Sequence, residues 1–222
     1  MLNEEDSINH AIQYFKRLND ACELVFIDGD SADNTVNLLI QHGFKVIKAK
    51  QANRGAQLVQ GALHTTGDIL LLHHFDSRLP ENFCELIEHA LESHDWGRFD
   101  VRLDSNDWRL RIVETAMNLR SRITGIATGD QAMFIRKNVL LAYTDELENY
   151  PVMEDIYLSK QLKQSSSPAC LRAKVVSSAR YWQNNGVIVS VVKMWTFRLL
   201  YFFGMSPQTL YRLYYAKQSS HA

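Results

Sequence analysis

Short apolar runs alternate with helix-like segments from Cys22 to His94, and this alternation limits the chain more than any other feature. A strand over Glu23 to Ile27 ends in Asp28. The Gly29-Asp30-Ser31 turn leads into a helix over Thr35 to His42, with Asp33 or Asn34 as its N-cap. Gly43 closes that helix, and "FKVIKA" is the next strand. "NRGAQLVQGALHTTG" reads as a helix closed by Gly67. "DILLLHH" is a third strand, continuously apolar as in a parallel sheet covered on both faces. Pro80 opens a helix to about His94, with Glu81 complementing the N-terminal dipole. Strand then helix, repeated, predicts an α/β sheet with right-handed crossovers.

The second half has a different rhythm. "RFDVRLD" alternates like an antiparallel or edge strand, and Trp108 to Ile123 forms a helix with a basic face. "DQAMFIR" is a strand, "PVMEDIYLSKQLKQ" a helix with Glu154 and Asp155 in its first turn, and "CLRAKVVSSARYW" a strand. Gly186 to Phe203 is a helix rich in Val, Trp, Phe and Tyr, and a short helix follows Pro207. The chain therefore divides into a domain over 1–185 (halves 1–95 and 96–185) and an amphipathic helical appendage over 186–222.

A chain of 222 residues with 46% hydrophobic and 22% charged residues can bury a core without staples. Cys22, Cys84 and Cys170 lie far apart with no CxxC pair, which fits a reducing cytosol. "MLNEEDSINH" has no basic region before an apolar run and is no signal peptide. The net charge of −1 hides an asymmetry: all 25 acids lie at or before Asp155, and nine Lys or Arg follow it. A basic, aromatic tail suits phosphate groups or an anionic membrane surface, or else neutralises the acidic half by packing on it. "VIVSVVKMWTFRLLYFFG" is at the lower length limit for a span and is interrupted by Lys193 and Arg198. Packing on the domain comes first for it, a membrane interface second, and spanning last. The tail carries no nucleic-acid motif, and no segment specifies an oligomeric state.

The run "ILLLHHFDSRLP" ends its apolar stretch in His74 and Asp76. Asp28 and the His74/Asp76 pair both stand at carboxyl ends of expected strands, where an α/β sheet forms its ligand crevice. An acid at one strand end can hydrogen-bond a nucleobase or ribose, and one at the next can hold a hard divalent ion against a diphosphate. Arg54 can approach the phosphates, and a base must deprotonate an acceptor hydroxyl. The simpler account is a turn cap at Asp28 and ordinary solvent-facing strand ends.

"FIDGDSADNT" resembles the nucleotide-binding turn of family 2 glycosyltransferases, and "HFDSRLP" their Asp-x-Asp element in a His-x-Asp form. "WGRFDVRLD", "MNLRSRITGIATGDQAMFIRK", "MEDIYLSKQLK" and "SARYW" resemble segments of one bacterial subfamily, the radical-SAM/selenodomain-associated transferases. The resemblance implies a GT-A (Rossmann-like) fold with a mixed, mainly parallel sheet. It implies a nucleotide-diphosphate sugar donor, Mn2+ or Mg2+, and inverting transfer. It implies Asp155 as general base with Glu154 beside it, Asp76 with His74 at the metal, and Asp28 at the nucleoside. Asn3, Glu4, Asp30, Arg54, Asp130, Gln131, Arg180 and Trp182 would line the donor and acceptor sites.

Two departures from the family pattern stand out. Relatives begin with an apolar strand before "x-L-N-E", set between the Asp28 strand and the His74 strand, and here that motif is Met1 to Glu5. The expectation is a truncated chain or an upstream start. Val59 stands where relatives often carry Asn. A degenerate, non-catalytic nucleotide-sugar-binding or interaction protein of the same fold is the second reading, and a nucleotidylyltransferase, lacking its Gly-rich phosphate loop here, the third. The acceptor is unidentified; the basic aromatic tail suits a lipid-linked or membrane-proximal one. The expected location is the cytoplasm, with a peripheral position at the inner membrane face left open.

Overall fold

Seven strands fall into two sheets among the residues described in the computed structural model, 1–49 and 53–216. β1 (Val25–Asp28) and β2 (Lys45–Lys48) pair in parallel. The larger sheet contains β3 (Ile69–Leu72), β4 (Ser77–Arg78), β5 (Trp96–Asp104), β6 (Met133–Arg136) and β7 (Ala169–Ser178), in the order β3-β6-β5-β7-β4. β5 and β7 run parallel, and the other neighbours antiparallel. The fold is α/β with parallel and antiparallel strand pairs. β1 and β3 do not pair. Met1 lies against the end of β1: its amino group donates to the Ile27 carbonyl at 2.9 Å, and its carbonyl accepts from the Gly29 amide at 2.9 Å. The Gln57 amide nitrogen donates to the carbonyls of Met1 (3.2 Å) and Ile27 (3.3 Å).

Side chains join the two sheets where backbone bonds do not. α1 (Glu5–Ala21) buries Ile8, Ala11, Ile12, Phe15 and Leu18, an i, i+3, i+4, i+7 stripe. Its Phe15 ring lies 5.0 Å from Phe26 of β1 and 4.8 Å from Phe75, in the loop after β3. Phe75 thus anchors the loop that carries His74 and Asp76. The helices that follow are α2 (Thr35–Gln41), α3 (Arg54–His64), α4 (Phe83–Leu91), α5 (Trp108–Thr124), α6 (Lys137–Leu141), α7 (Thr144–Leu147), α8 (Glu154–Ser165), α9 (Arg180–Asn185), α10 (Val187–Phe202) and α11 (Pro207–Ala216). Asn53 caps α3 by accepting from the Ala56 amide at 3.0 Å.

Four expectations need correction. "DILLLHH" is not flanked by parallel strands, because its partner β6 is antiparallel. "RFDVRLD" is antiparallel to β6 but no edge strand: β5 is central, and Arg98 and Asp100 are buried as a pair, with Asp100 also accepting from Arg122 at 2.7 Å, while Arg102 and Asp104 stay exposed. Strand β7 stops at Ser178, so Arg180 and Trp182 lie on α9. "DQAMFIR" opens with a 3-10 turn over Gly129–Gln131 before β6. The expected appendage starts as α10 and α11, and 217–222 lie outside the described residues. Val59 is buried beside Ala62 and Leu70, where an Asn would need a partner in an apolar setting.

Candidate active site

Asp28 at the end of β1 and Asp76 in the loop after β3 bring carboxylates to the strand ends. Asp28, at the end of β1, is fully buried. Its Oδ2 accepts from the amides of Asp30 (3.2 Å) and Ser31 (3.1 Å), and its Oδ1 from the Ser31 hydroxyl at 2.5 Å. Asp30 sits at φ +75°, and the acid offsets the strain of that turn. Asn3 stitches the chain start to the same turn: its amide donates to the Ser31 hydroxyl at 2.9 Å, and its Oδ1 accepts from Ala32 at 2.9 Å. Asp28, Asp30 and Asn3 therefore form one wall.

The opposite wall is built around Arg54, the first residue of α3. Its Nε donates to Glu154 Oε1 at 2.6 Å and its Nη2 to His74 Nε2 at 2.6 Å. Glu154 holds the Arg54 guanidinium above its ordinary pKa, with Asp155 and Asp130 adding to the effect. Burial, then Arg54, drives His74 well below the usual histidine range, so the imidazole is neutral near pH 7. With Nε2 accepting from Arg54, the proton sits on Nδ1, which faces Asp130 Oδ1 at 3.7 Å. His74 thus orients Arg54 and Asp130, and its Nε2 is already engaged.

Asp155 and Glu154 open α8, but with different exposure: Glu154 is buried and Asp155 half-buried. Asp155 Oδ2 accepts from the Gly129 amide at 3.0 Å. Burial raises Asp130, as do the nearby charges of Asp76 and Asp155, while Ser177 donates to it at 3.3 Å. Asp155 holds the Gly129 amide next to Asp130, and Asp130 faces His74, two residues before Asp76, so these carboxylates share one region. On the α1 side, Arg180 reaches Ser7 Oγ (2.9 Å), Glu4 (3.6 Å) and Asp76 (4.0 Å). Beyond it opens a cavity of about 330 Å³, lined by Asp6, Ser7, His10, Asp76, Arg78 and Arg180 among others.

The cluster holds Glu4, Asp76, Asp130, Glu154 and Asp155 against Arg54 and Arg180, a surplus of carboxylates. No group of three or more His, Cys, Asp or Glu among the described residues is arranged to hold a metal alone. The set fits a hard cation that brings its other ligands with it, since Mg2+-like ions bind through one or two carboxylates plus substrate phosphates.

Two expected site residues lie elsewhere. Gln131 is fully buried: its Oε1 accepts from the Thr128 amide at 3.1 Å and its Nε2 donates to Asn118 at 3.4 Å. Trp182 packs in the core with Val101, Leu110 and Met117. Gly129, Ser177 and Ser7 do touch the site. Only Gly129 carried a signal, in "TGDQ", where a Cβ would come within 3.1 Å of Arg54.

An α/β sheet with acids at its strand ends and a pair of carboxylates at a helix N-terminus is the arrangement of a GT-A fold. The profile described as "Glycosyl transferase family 2" matches residues 1–140, and the chain belongs to that family. The chain is similar in structure to a Mycobacterium tuberculosis glucosyl-3-phosphoglycerate synthase solved with Mn2+, UDP and phosphoglyceric acid. That match has a TM-score of 0.59 at 20% identity and covers 92% of this chain and 76% of the other. It is also similar to a mycobacterial protein (TM-score 0.54, 18% identity, 80% and 62% covered) and to S. aureus TarS 1-349 (0.54, 15%, 71% and 51%). The chain thus spans under two thirds of the length of these last two proteins. No curated protein matches it.

Proposed function

We propose that the protein transfers a sugar from a nucleotide-diphosphate donor to a hydroxyl acceptor, with inversion at the anomeric carbon. The gathering of Asp130, Glu154 and Asp155 around Arg54, with Asp76 two residues beyond His74, carries this reading. The half-exposed Asp155 takes the proton of the acceptor hydroxyl. The freed oxygen attacks the anomeric carbon from the face opposite the diphosphate, and the bond from that carbon to the phosphate oxygen breaks. Glu154 stays in its pair with Arg54 and fixes the start of α8. Asp76 would hold Mn2+ or Mg2+, with His74 behind it; when bound, the ion neutralises charge gathering on the departing diphosphate. Arg180 exchanges Glu4 and Asp76 for phosphate oxygens, and Asp28, Asp30 and Asn3 wall the nucleoside. Structural neighbours solved with Mn2+ and either UDP or UDP-glucose support a uridine-diphosphate sugar donor.

Within the family, "TGDQAMFIR" and "MEDIYLS" support placement in the radical-SAM/selenodomain-associated subfamily. We further propose that 1–185 forms the transferase unit and 186–222 its appendage, that the protein works in the cytoplasm or at the inner membrane face, and that its acceptor is lipid-linked. A second reading, nucleotide-sugar binding without turnover, is favoured by the unpaired β1 and β3 edges.

Calorimetry of UDP and GDP with and without Mn2+ identifies the donor base, and turnover of the matching sugar nucleotide separates the two readings. A positioned base contributes ~10²–10⁴-fold. Asp155→Asn is expected to lower transfer by about that factor while nucleotide binding stays within about twofold. Full activity in Asp155→Asn overturns the assignment of the base.

A further inference from the structure

Two neighbouring helices on the surface carry outward apolar stripes. On α5 the stripe is Trp108, Ile112, Leu119 and Ile123, and on α10 it is Ile188, Val192, Trp195, Leu199 and Phe202. All nine are at least half exposed. At roughly 100° per residue each set falls on the side of its helix away from the core. On α5 that core side is Leu110, Glu114, Met117 and Ser121; on α10 it is Val187 and Ser190. Val113 of α5 and Val191 and Met194 of α10 pack against one shared core cluster, so the helices are neighbours and each turns its stripe away from that cluster. Monomeric proteins rarely expose a contiguous apolar patch above a few hundred Å².

The charge on the two helices is mainly positive, and Asp107 at the N-cap of α5 is paired with Arg109 at 2.7 Å. Glu114 is the only acid on α5, and it is buried, accepting from Arg111 and from the Leu103 amide. α10 and α11 have no acid. In the seam between the helices Arg120 and Arg198 repel each other, and the Arg120 Nε and Nη2 are buried with no partner. A second copy of this chain would set like charges face to face. Trp108 and Trp195 are side chains that favour the headgroup level. α10, at 16 residues, reaches ~24 Å, short of the ~30 Å hydrocarbon core, and no helix among the described residues is long and apolar enough to cross a membrane.

We propose that the α5–α10 face is a docking surface for an anionic lipid bilayer. The stripes sink into the interface, and Arg198, at the margin of the α10 stripe, meets lipid phosphates. Binding to lipid does not depend on the transfer reaction, so the two can fail separately.

Flotation of the full chain with phosphatidylcholine vesicles, with or without about 30% phosphatidylglycerol, tests the face. Binding to the anionic vesicles, weakened by salt, is expected. Tryptophan emission shifts to the blue as Trp108 and Trp195 enter the interface, while Trp96 and Trp182 are already buried. Trp195→Ser with Phe202→Ser replaces exposed side chains, keeps the melting temperature, and weakens partitioning by about tenfold or more. Arg198→Gln reduces the preference for phosphatidylglycerol. Absence of vesicle binding, equal binding to both vesicle types, binding unchanged in the double variant, or burial of Trp108 and Trp195 in a dimer overturns the proposal. UDP binding measured on the same preparation reports separately on the donor site.

Discussion

Arg54 holds the active-site wall together, and its loss has a definable cost. Glu154 is buried and its main cation is this one guanidinium, 2.6 Å away. Removing one partner of a buried pair leaves an uncompensated charge worth ~3–5 kcal/mol. The Arg54 side chain is itself 45% exposed, so water recovers part of that. Arg54→Met should therefore cost about 1–3 kcal/mol in urea unfolding, and adding Glu154→Gln should return part of the loss by removing the stranded charge. If the double variant is as unstable as the sum of the two singles, the pair is not coupled. Acids at strand ends and helix starts were legible as site residues because those positions face a crevice in any such sheet. The orientation of Gln131 and Trp182 was not, since neither a 3-10 turn nor the end of β7 can be placed from spacing. His74 shows a further limit: its sequence position fits a metal ligand, but which nitrogen is engaged depends on Arg54, twenty residues away.

Helix α3 positions Arg54 by packing closer than a side chain would allow. A Cβ on Gly55 would collide with the Leu147 carbonyl and meet the Tyr150 carbonyl at 2.9 Å, while the Gly55 amide donates to Tyr150 at 2.9 Å. Backbone cannot rotate out of the way, so Gly55→Ala must push α3 from the loop before α8. Overpacking of this kind costs roughly 1–3 kcal/mol and also moves Arg54 from Glu154. Gly61, further along the same helix, has only Ile27 Cγ1 at 3.6 Å. Gly61→Ala is expected to stabilise by about 0.5–1 kcal/mol through helix propensity. Thermal melts of the two variants should move in opposite directions; a parallel shift would discount the close approach. Helix and strand order was readable from periodicity over most of the chain. The 5–21 segment has the same stripe as any amphipathic helix, Ile8, Ile12, Phe15 and Leu18, yet its polar start beside Asn3 and Glu4 points equally to a binding loop. β5 misleads for another reason: alternating charges signal an edge strand unless, as with Arg98 and Asp100, they neutralise each other inside.

At the scale of the molecule, two sheets behave as one only through side chains that cross the break. The Phe15, Phe26 and Phe75 rings provide the apolar part, and Glu23 the polar part. Glu23 precedes β1, and its carboxylate accepts from the Thr66 amide (2.6 Å) and hydroxyl (2.8 Å) ahead of β3 and from Lys45 of β2 (3.2 Å). The Thr66 hydrogen bonds, with Lys45 behind them, hold the carboxyl down from 4.5 to about 2. A carboxylate depressed in the folded state stabilises the fold above its unfolded pKa and loses that contribution as pH falls through its folded value. The clamp is therefore complete above about pH 4.5 and fades toward pH 2. Glu23→Gln should melt below the parent protein at pH 7, and the difference should shrink as pH drops from 5 to 2. A gap of equal size at every pH would mean that the ionised carboxylate does not join the sheets, and that the phenylalanine cluster alone spans the break.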